Sequence, residues 1–260
     1  MYNIKNHLDL LVERYNTEEF IKDDPVQFPH RYKEKRDIEI VSFLIATIAW
    51  GKRSMILNSS NRLLNIMGVS PFDFIMSDGY ERLDPAACVH RTFFNRDLIY
   101  YCKGLKDIYL KYDFIEDLFT LGGNHDTWQG IQYFRDAMQK ANFNESSKHI
   151  SNPSCEMPNK GSACKRLHLA LRWLVRDDGI VDLGIWKKFK PSDLMIPLDV
   201  HVARVSRAIN LLTRKSNDRQ AVEQLTERLR QFDSEDPVRY DFALFAVELD
   251  ENNTNSLISN

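Results

Sequence analysis

The chain has 260 residues, 43% of them hydrophobic and 28% charged, with a net charge of −2. That is ordinary globular composition, long enough for one large or two small domains with a real core. The four cysteines, Cys88, Cys102, Cys155 and Cys164, include no CxxC pair, which argues against a zinc or iron–sulfur centre and for reduced thiols in a cytosolic protein. No signal-peptide core and no bilayer-length apolar run is present, so the expected location is the cytoplasm, with no membrane partner.

Ten glycines and nine prolines are few, which suits a mostly helical protein. Residues 1–22 read as an amphipathic helix with Ile4, Leu8, Leu11, Val12 and Tyr15 on one face. Pro25 and Pro29 hold a loop. Asp37 is then expected to cap a helix that is apolar almost all round (Ile40, Val41, Phe43, Leu44, Ile45, Ile48), hence central and buried, ending at Gly51. In Trp50-Gly51-Lys52-Arg53 an aromatic meets two cations, read as a core tryptophan beside a surface pair. Further helices are expected over 56–67, 71–76, 98–109 and 127–141. The polar stretch 142–159, with Pro153 and Pro158, is the best linker. Helices should follow at 162–175, 200–212 and 221–232, and again after Pro237. Residues 181–196 are an irregular connection. No segment shows convincing strand alternation, and no repeat of fixed period is visible. The expected class is all-α. Residues 1–249 are expected to form a single two-lobed helical unit, whose lobes need not be continuous in sequence, with a cleft near 160–200; 250–260 read as a polar, disordered tail.

Charge is unevenly distributed. Residues 160–219 hold 13 Lys/Arg against six Asp/Glu, a local +7; the remainder holds 22 against 31, or −9. A basic segment in an acidic chain suits a phosphate-binding face, and equally suits solvated helix faces.

That segment contains two helix starts. In Gly161-Ser162-Ala163-Cys164-Lys165-Arg166-Leu167, Ser162 is a fair N-cap and puts Lys165 in the first turn. In Pro197-Leu198-Asp199-Val200-His201-Val202, Asp199 is a good N-cap after a proline that cannot lie inside the helix. The positive end of a helix disfavours an ammonium ion, so a lysine there is a candidate for Schiff-base chemistry at an electrophilic carbon. Backbone amides keep an aspartate in the same position ionised, ready to support positive charge developing on a sugar ring. The plain alternatives stay open: Asp199 only a cap, Lys165 only a surface charge.

At these residues the sequence resembles the helix–hairpin–helix DNA glycosylase superfamily. Pro197 to Val205 (Pro-Leu-Asp-Val-His-Val-Ala-Arg-Val) is similar to the segment around that family's essential aspartate. The following helix and Tyr240 to Phe245 are similar to its last two helices, and 37–50 to its early buried helix. The likeness spans residues 35–249, but only the aspartate segment is specific. The usual apolar-Pro-Gly-x-Gly hairpin reads here Met157-Pro158-Asn159-Lys160-Gly161, a degenerate form. Lys165 lies 34 positions before Asp199, a spacing similar to the archaeal 8-oxoguanine glycosylase branch. Lys165-Arg166-Leu167, Leu171-Arg172-Trp173 and Asp182-Leu183-Gly184 also resemble a widespread family of uncharacterised bacterial proteins. No cysteine cluster follows Asp199, so no iron–sulfur cluster is expected.

The resemblance implies a two-lobed helical fold of that type and base excision from damaged duplex DNA. Lys165 would attack C1′ of an extruded oxidised purine nucleotide, with strand nicking as a possible sequel, and Asp199 would assist. Lys160, Gly161, Ser162, Arg166 and Arg204 would meet the DNA backbone, the amides near the first three gripping a phosphate. Asp241 and Phe245, one turn apart, with Trp173 and Trp186, would read the base. No metal and no cofactor is implied. Two alternatives stand beside this reading: a catalytically silent nucleic-acid-binding protein on the same scaffold, for DNA or RNA, and an α-helical interaction module.

Overall fold

Apolar residues recurring every three or four positions give nearly every segment one stripe to bury, and a helix is the structure that presents it. The structure, a computed structural model, describes residues 4–249 and is mostly helical. In chain order it contains α1 (Ile4–Tyr15), α2 (Glu18–Asp23), α3 (Lys35–Ile48), α4 (Arg53–Met67), α5 (Pro71–Met76), β1 (Cys88–His90), β2 (Phe93–Phe94), α6 (Asn95–Tyr109), α7 (Ile115–Phe119), α8 (Thr127–Ala141), α9 (Lys165–Val175), α10 (Val200–Ala208), α11 (Arg219–Arg230) and α12 (Asp241–Leu249). Short 3-10 turns fill several of the connections. Among the described residues no helix is long and apolar enough to cross a membrane. The tail expected over 250–260 lies outside the described residues.

The chain divides into two compact units. One is continuous, residues 21–152. The other joins residues 1–20 to residues 153–260. The boundary at 152–153 falls inside the polar stretch 142–159.

The continuous unit is built on α3, which is buried from Asp37 to Ile48. Phe43 stacks on Phe134 of α8 at 4.8 Å, and Phe119 of α7 packs on both rings. Glu39 is fully buried in this apolar helix and acts at a distance: its carboxylate accepts from the Ile115 and Glu116 amides at the start of α7 and from the Tyr109 hydroxyl. Asp37 is not the helix cap. α3 starts two residues earlier, after Glu34, and Asp37 instead accepts from the Phe72 amide at the head of α5. Burial pushes its carboxyl above the usual range. At Gly104 a Cβ would lie 2.2 Å from Met138 Sδ, so α6 and α8 cross at close range only because the side chain is missing. β1 and β2 pair antiparallel in a hairpin turned by Arg91 at φ 53°. Strands of three and two residues are too short to display alternation.

In the other unit α12 packs against both α1 and α10. Leu8, Leu11 and Val12 are buried, Phe20 meets Phe242 edge-on at 5.3 Å, and the Tyr240 hydroxyl donates to Asp9. The expected helix over 1–22 is broken at Asn16 and Thr17. There the Asn16 amide side chain reaches Asp178 at 3.0 Å, in place of continuing the helix face. α10 ends at Ala208, before the expected 212. The amides of Leu211 and Leu212 both turn back to the Ser206 carbonyl, with Asn210 left-handed at φ 60°. α11 starts at Arg219, two residues earlier than expected, capped by Asp218.

Candidate active site

The candidate site lies in the unit formed by residues 1–20 and 153–260. Its first element is the head of α9. Ser162 does not cap it. The Arg219 amide donates to the Gly161 carbonyl at 3.0 Å and Ser162 bridges to Asp218, so residues 161–162 are held extended against the start of α11. Cys164, left-handed at φ 46°, redirects the chain into the helix, and Lys165 is its first residue. Ser162 still contributes, its hydroxyl accepting from the Cys164 amide at 3.4 Å.

The second element is the head of α10. Asp199 is the N-cap, and its Oδ1 accepts from the His201 and Val202 amides, each at 2.9 Å. Those two bonds fix the carboxylate's direction. Its other oxygen, Oδ2, lies 3.9 Å from Lys165 Nζ, and the two side chains are 25% and 27% exposed. An amine and a carboxylate 34 positions apart therefore meet as an ion pair that solvent still reaches. The distance is an ionic contact rather than a direct hydrogen bond.

Further along α9 from Lys165, a network of mostly buried ions begins at Arg172. Arg172, seven positions along α9 from Lys165, binds Asp241 through Nη1 and Asp182 through Nε at 3.2 Å. Arg176, one turn further, binds the same Asp182 and also Asp178 at 3.0 Å and Asp236 at 2.8 Å. Both guanidiniums lie over the Phe242 ring, at 4.4 and 5.4 Å. Asp182 is completely enclosed, and desolvation pushes its carboxyl up despite two arginines. Asp241 is pushed up to about 6 by burial, with Arg172 pulling down, the Asp199 carboxylate pushing up and Lys165 pulling down. Asp241 thus responds electrostatically to both members of the exposed pair. The reading from sequence missed Arg172, Arg176 and Asp182. The available signal was two arginines four apart beside the stripe Leu167, Leu171, Leu174, Val175, on a helix that has no polar face to spare.

The other expected site residues are placed differently. Trp173 is fully buried, and Trp186, 1% exposed, stacks on Phe189. These indoles are core groups with no open face, which corrects their reading as stacking platforms. Phe245 is half-buried on α12, one turn beyond Asp241. Lys160, Ser162 and Arg204 are exposed and Arg166 is half-buried. The amides expected to grip a phosphate are largely engaged: Lys160 donates to the Met157 carbonyl and Gly161 to that of Pro158, closing a 3-10 turn over Pro158–Lys160. Gly161 is needed for close approach, since a Cβ there would lie 2.4 Å from the Pro153 carbonyl oxygen. Nor is the local +7 all outward charge. Arg172 and Arg176 are buried, and Lys187, Arg214 and Arg219 pair with Asp177, Asp218 and Glu223. Lys160, Lys187, Lys188, Lys190, Arg204 and Lys215 are the exposed cations of that stretch, Lys187 in its pair with Asp177.

The profile of a family described as Protein of unknown function (DUF2400) matches residues 24–250. No curated protein and no solved structure matches the chain.

Proposed function

Since the chain belongs to the DUF2400 family, whose description assigns no activity, we propose from the site alone that it is a base-excision enzyme of the DNA glycosylase type. Its substrate is duplex DNA carrying an oxidised purine, and Lys165 is the nucleophile. The fold reading that goes with it is a helix–hairpin–helix glycosylase scaffold whose hairpin is reduced to the turn Pro158–Lys160.

The observation that carries the proposal is the 3.9 Å approach of Lys165 Nζ to Asp199 Oδ2 at two helix heads remote in sequence. In the reaction the neutral amine forms a bond to C1′ of the flipped nucleotide. The N-glycosidic bond breaks, the base leaves with the electron pair and takes up a proton, and the sugar ring opens to an imine on Lys165. Asp199, held rigid by two amides, stabilises the positive charge that develops on the sugar. Arg204 and Lys160, exposed cations of the same unit, suit contacts to phosphate.

Borohydride trapping tests the reading. Wild-type protein incubated with duplexes carrying oxidised purines gives a covalent complex after reduction, and Lys165→Gln gives none. Absence of trapping across a panel of such lesions removes the proposal. Salt-dependent binding of DNA or RNA that survives without trapping leaves the catalytically silent binding protein in its place, and failure to bind nucleic acid at low salt leaves the interaction module.

A further inference from the structure

Within residues 21–152, Trp50 follows α3 and is half-buried, not the core group its sequence context suggests. His90 fixes it. Burial holds the His90 imidazole below its usual range, so the ring is neutral. Its Nε2 donates to the Trp50 carbonyl at 2.8 Å, which leaves Nδ1 to accept from the Ser59 hydroxyl at 3.0 Å. The His90 ring also meets the indole edge-on at 5.2 Å. Over the indole lies Arg91, its guanidinium carbon 4.5 Å from the ring centroid. The guanidinium passes directly above Gly51, where a Cβ would lie 2.5 Å from Nη1. Arg91 is exposed at the turn between β1 and β2, so with one side on the indole the cation turns its other side to water.

Cations gather around this stack without acids to match them. Lys52, exposed, follows Gly51. Arg62, also exposed, donates through Nη2 to the Val89 carbonyl at 3.0 Å and to Ser59 at 3.1 Å, which sets it beside the same hairpin and the same partner of His90. Among the described residues Lys52, Arg62 and Arg91 form no ion pair. The first turn of α4 contains no acid that could supply countercharge. Elsewhere in this unit Lys35, Lys106 and Lys111 each pair with a carboxylate. An unmatched cluster of like charges attracts a polyanion.

We propose that this patch binds single-stranded nucleic acid, one unpaired base stacking on the Arg91 guanidinium and the flanking phosphates meeting Lys52 and Arg62. The proposal does not rest on Lys165 being a nucleophile. A guanidinium plane backed by an indole suits the flat face of a base, and that face is free only in an unpaired strand. An acidic peptide matches the charge but not the stack, because a carboxylate takes a guanidinium edge-on at its fork.

The test is fluorescence anisotropy of the full-length protein with two labelled strands of equal length, oligodeoxythymidylate and an abasic deoxyribose phosphate. The parent protein is Lys160→Gln/Arg204→Gln, which removes phosphate contacts proposed for the other unit. It binds the thymidylate strand about tenfold more tightly than the abasic one, and affinity for both falls from about 50 to about 200 mM salt. Arg91→Lys keeps the charge and the salt slope but loses the preference for thymidylate. Lys52→Gln and Arg62→Gln weaken both strands alike and reduce the slope by about 0.7 each. Lys103→Gln, at an exposed cation on α6, changes neither quantity. A parent with no preference, an Arg91→Lys variant that retains it, or an unchanged slope in Lys52→Gln overturns the proposal. So does displacement of thymidylate by polyglutamate as effectively as by an unlabelled thymidylate strand, which would make the occupant an acidic peptide. Should Arg62→Gln fail to fold, Lys52→Gln and Arg91→Lys decide the matter, since neither side chain is hydrogen-bonded among the described residues. Neither strand carries a purine, so failed trapping at Lys165 leaves this result standing, and failure here leaves the trapping experiment untouched.

Discussion

Asp199 does two separable jobs. Oδ1 caps α10, and Oδ2 faces Lys165. Asparagine caps a helix about as well as aspartate but carries no charge. Asp199→Asn is therefore expected to keep its urea midpoint within a few tenths of a kcal/mol while borohydride trapping falls by a hundredfold or so, in the range of a lost electrostatic stabiliser. Asp199→Ala loses the cap as well and costs about 1 kcal/mol in the same denaturation series. Asp241 gives a second prediction, read against pH. Its folded-state value of about 6 lies above the ordinary 3.8, so the folded chain keeps a proton that the unfolded chain has already released. Its contribution to folding is most favourable below about pH 4 and is lost as pH rises through about 6. The stability of wild type relative to Asp241→Asn should fall across that window in urea titrations and level off above it. At this scale the sequence was informative where local chemistry decides. Pro197-Leu198-Asp199 ahead of an amphipathic run identifies a cap without any tertiary knowledge. Trp173 and Trp186 were misread because an indole looks the same in sequence whether it lines a groove or fills a core.

The elements were legible in proportion to the strength of their own periodicity. α5 and α8 lie where the pattern puts them, at 71–76 and 127–141. Some boundaries moved where a tertiary contact outweighed the local signal. α9 starts late because residues 161–162 are pinned to α11, whereas α10 stops early for a local reason, a left-handed Asn210 with the Leu211 and Leu212 amides closing back on the Ser206 carbonyl of its own last turn. Glu39 and the Arg172–Asp182–Arg176 ladder were invisible because a buried charge is recognised only through its partner. The ladder predicts a large asymmetry between its members. Removing Asp182 leaves two buried guanidiniums short of a partner, so Asp182→Ala is expected to cost about 3–5 kcal/mol. Asp236→Ala, at a side chain that is 25% exposed, is expected to cost about 1 kcal/mol. Urea denaturation of the two variants at pH 7 compares them directly, and equal losses would show that Asp182 is not the shared partner the contacts describe.

At the scale of the molecule, the unit that carries the site is assembled from two separated stretches of chain. The family match begins at residue 24, yet α1 lies before it and packs on α12, with Leu8, Leu11 and Val12 buried, Asn16 bound to Asp178 and Phe20 set against Phe242. Sequence periodicity identified α1 as amphipathic but gave no hint of what its apolar face would meet. Deleting residues 1–17 is therefore expected to raise amide hydrogen exchange throughout α12 and α10, while α3 and α8, in the continuous unit, keep wild-type protection. Uniform loss of protection in both units would contradict this division. The same arrangement has a consequence for synthesis. α1 leaves the ribosome before the surface it covers, which follows only after all of residues 21–152 and much of the second stretch of its own unit. During that interval Leu8, Leu11 and Val12 are an uncovered greasy strip on a nascent polypeptide, a natural point for a chaperone such as a ribosome-associated holdase to take hold.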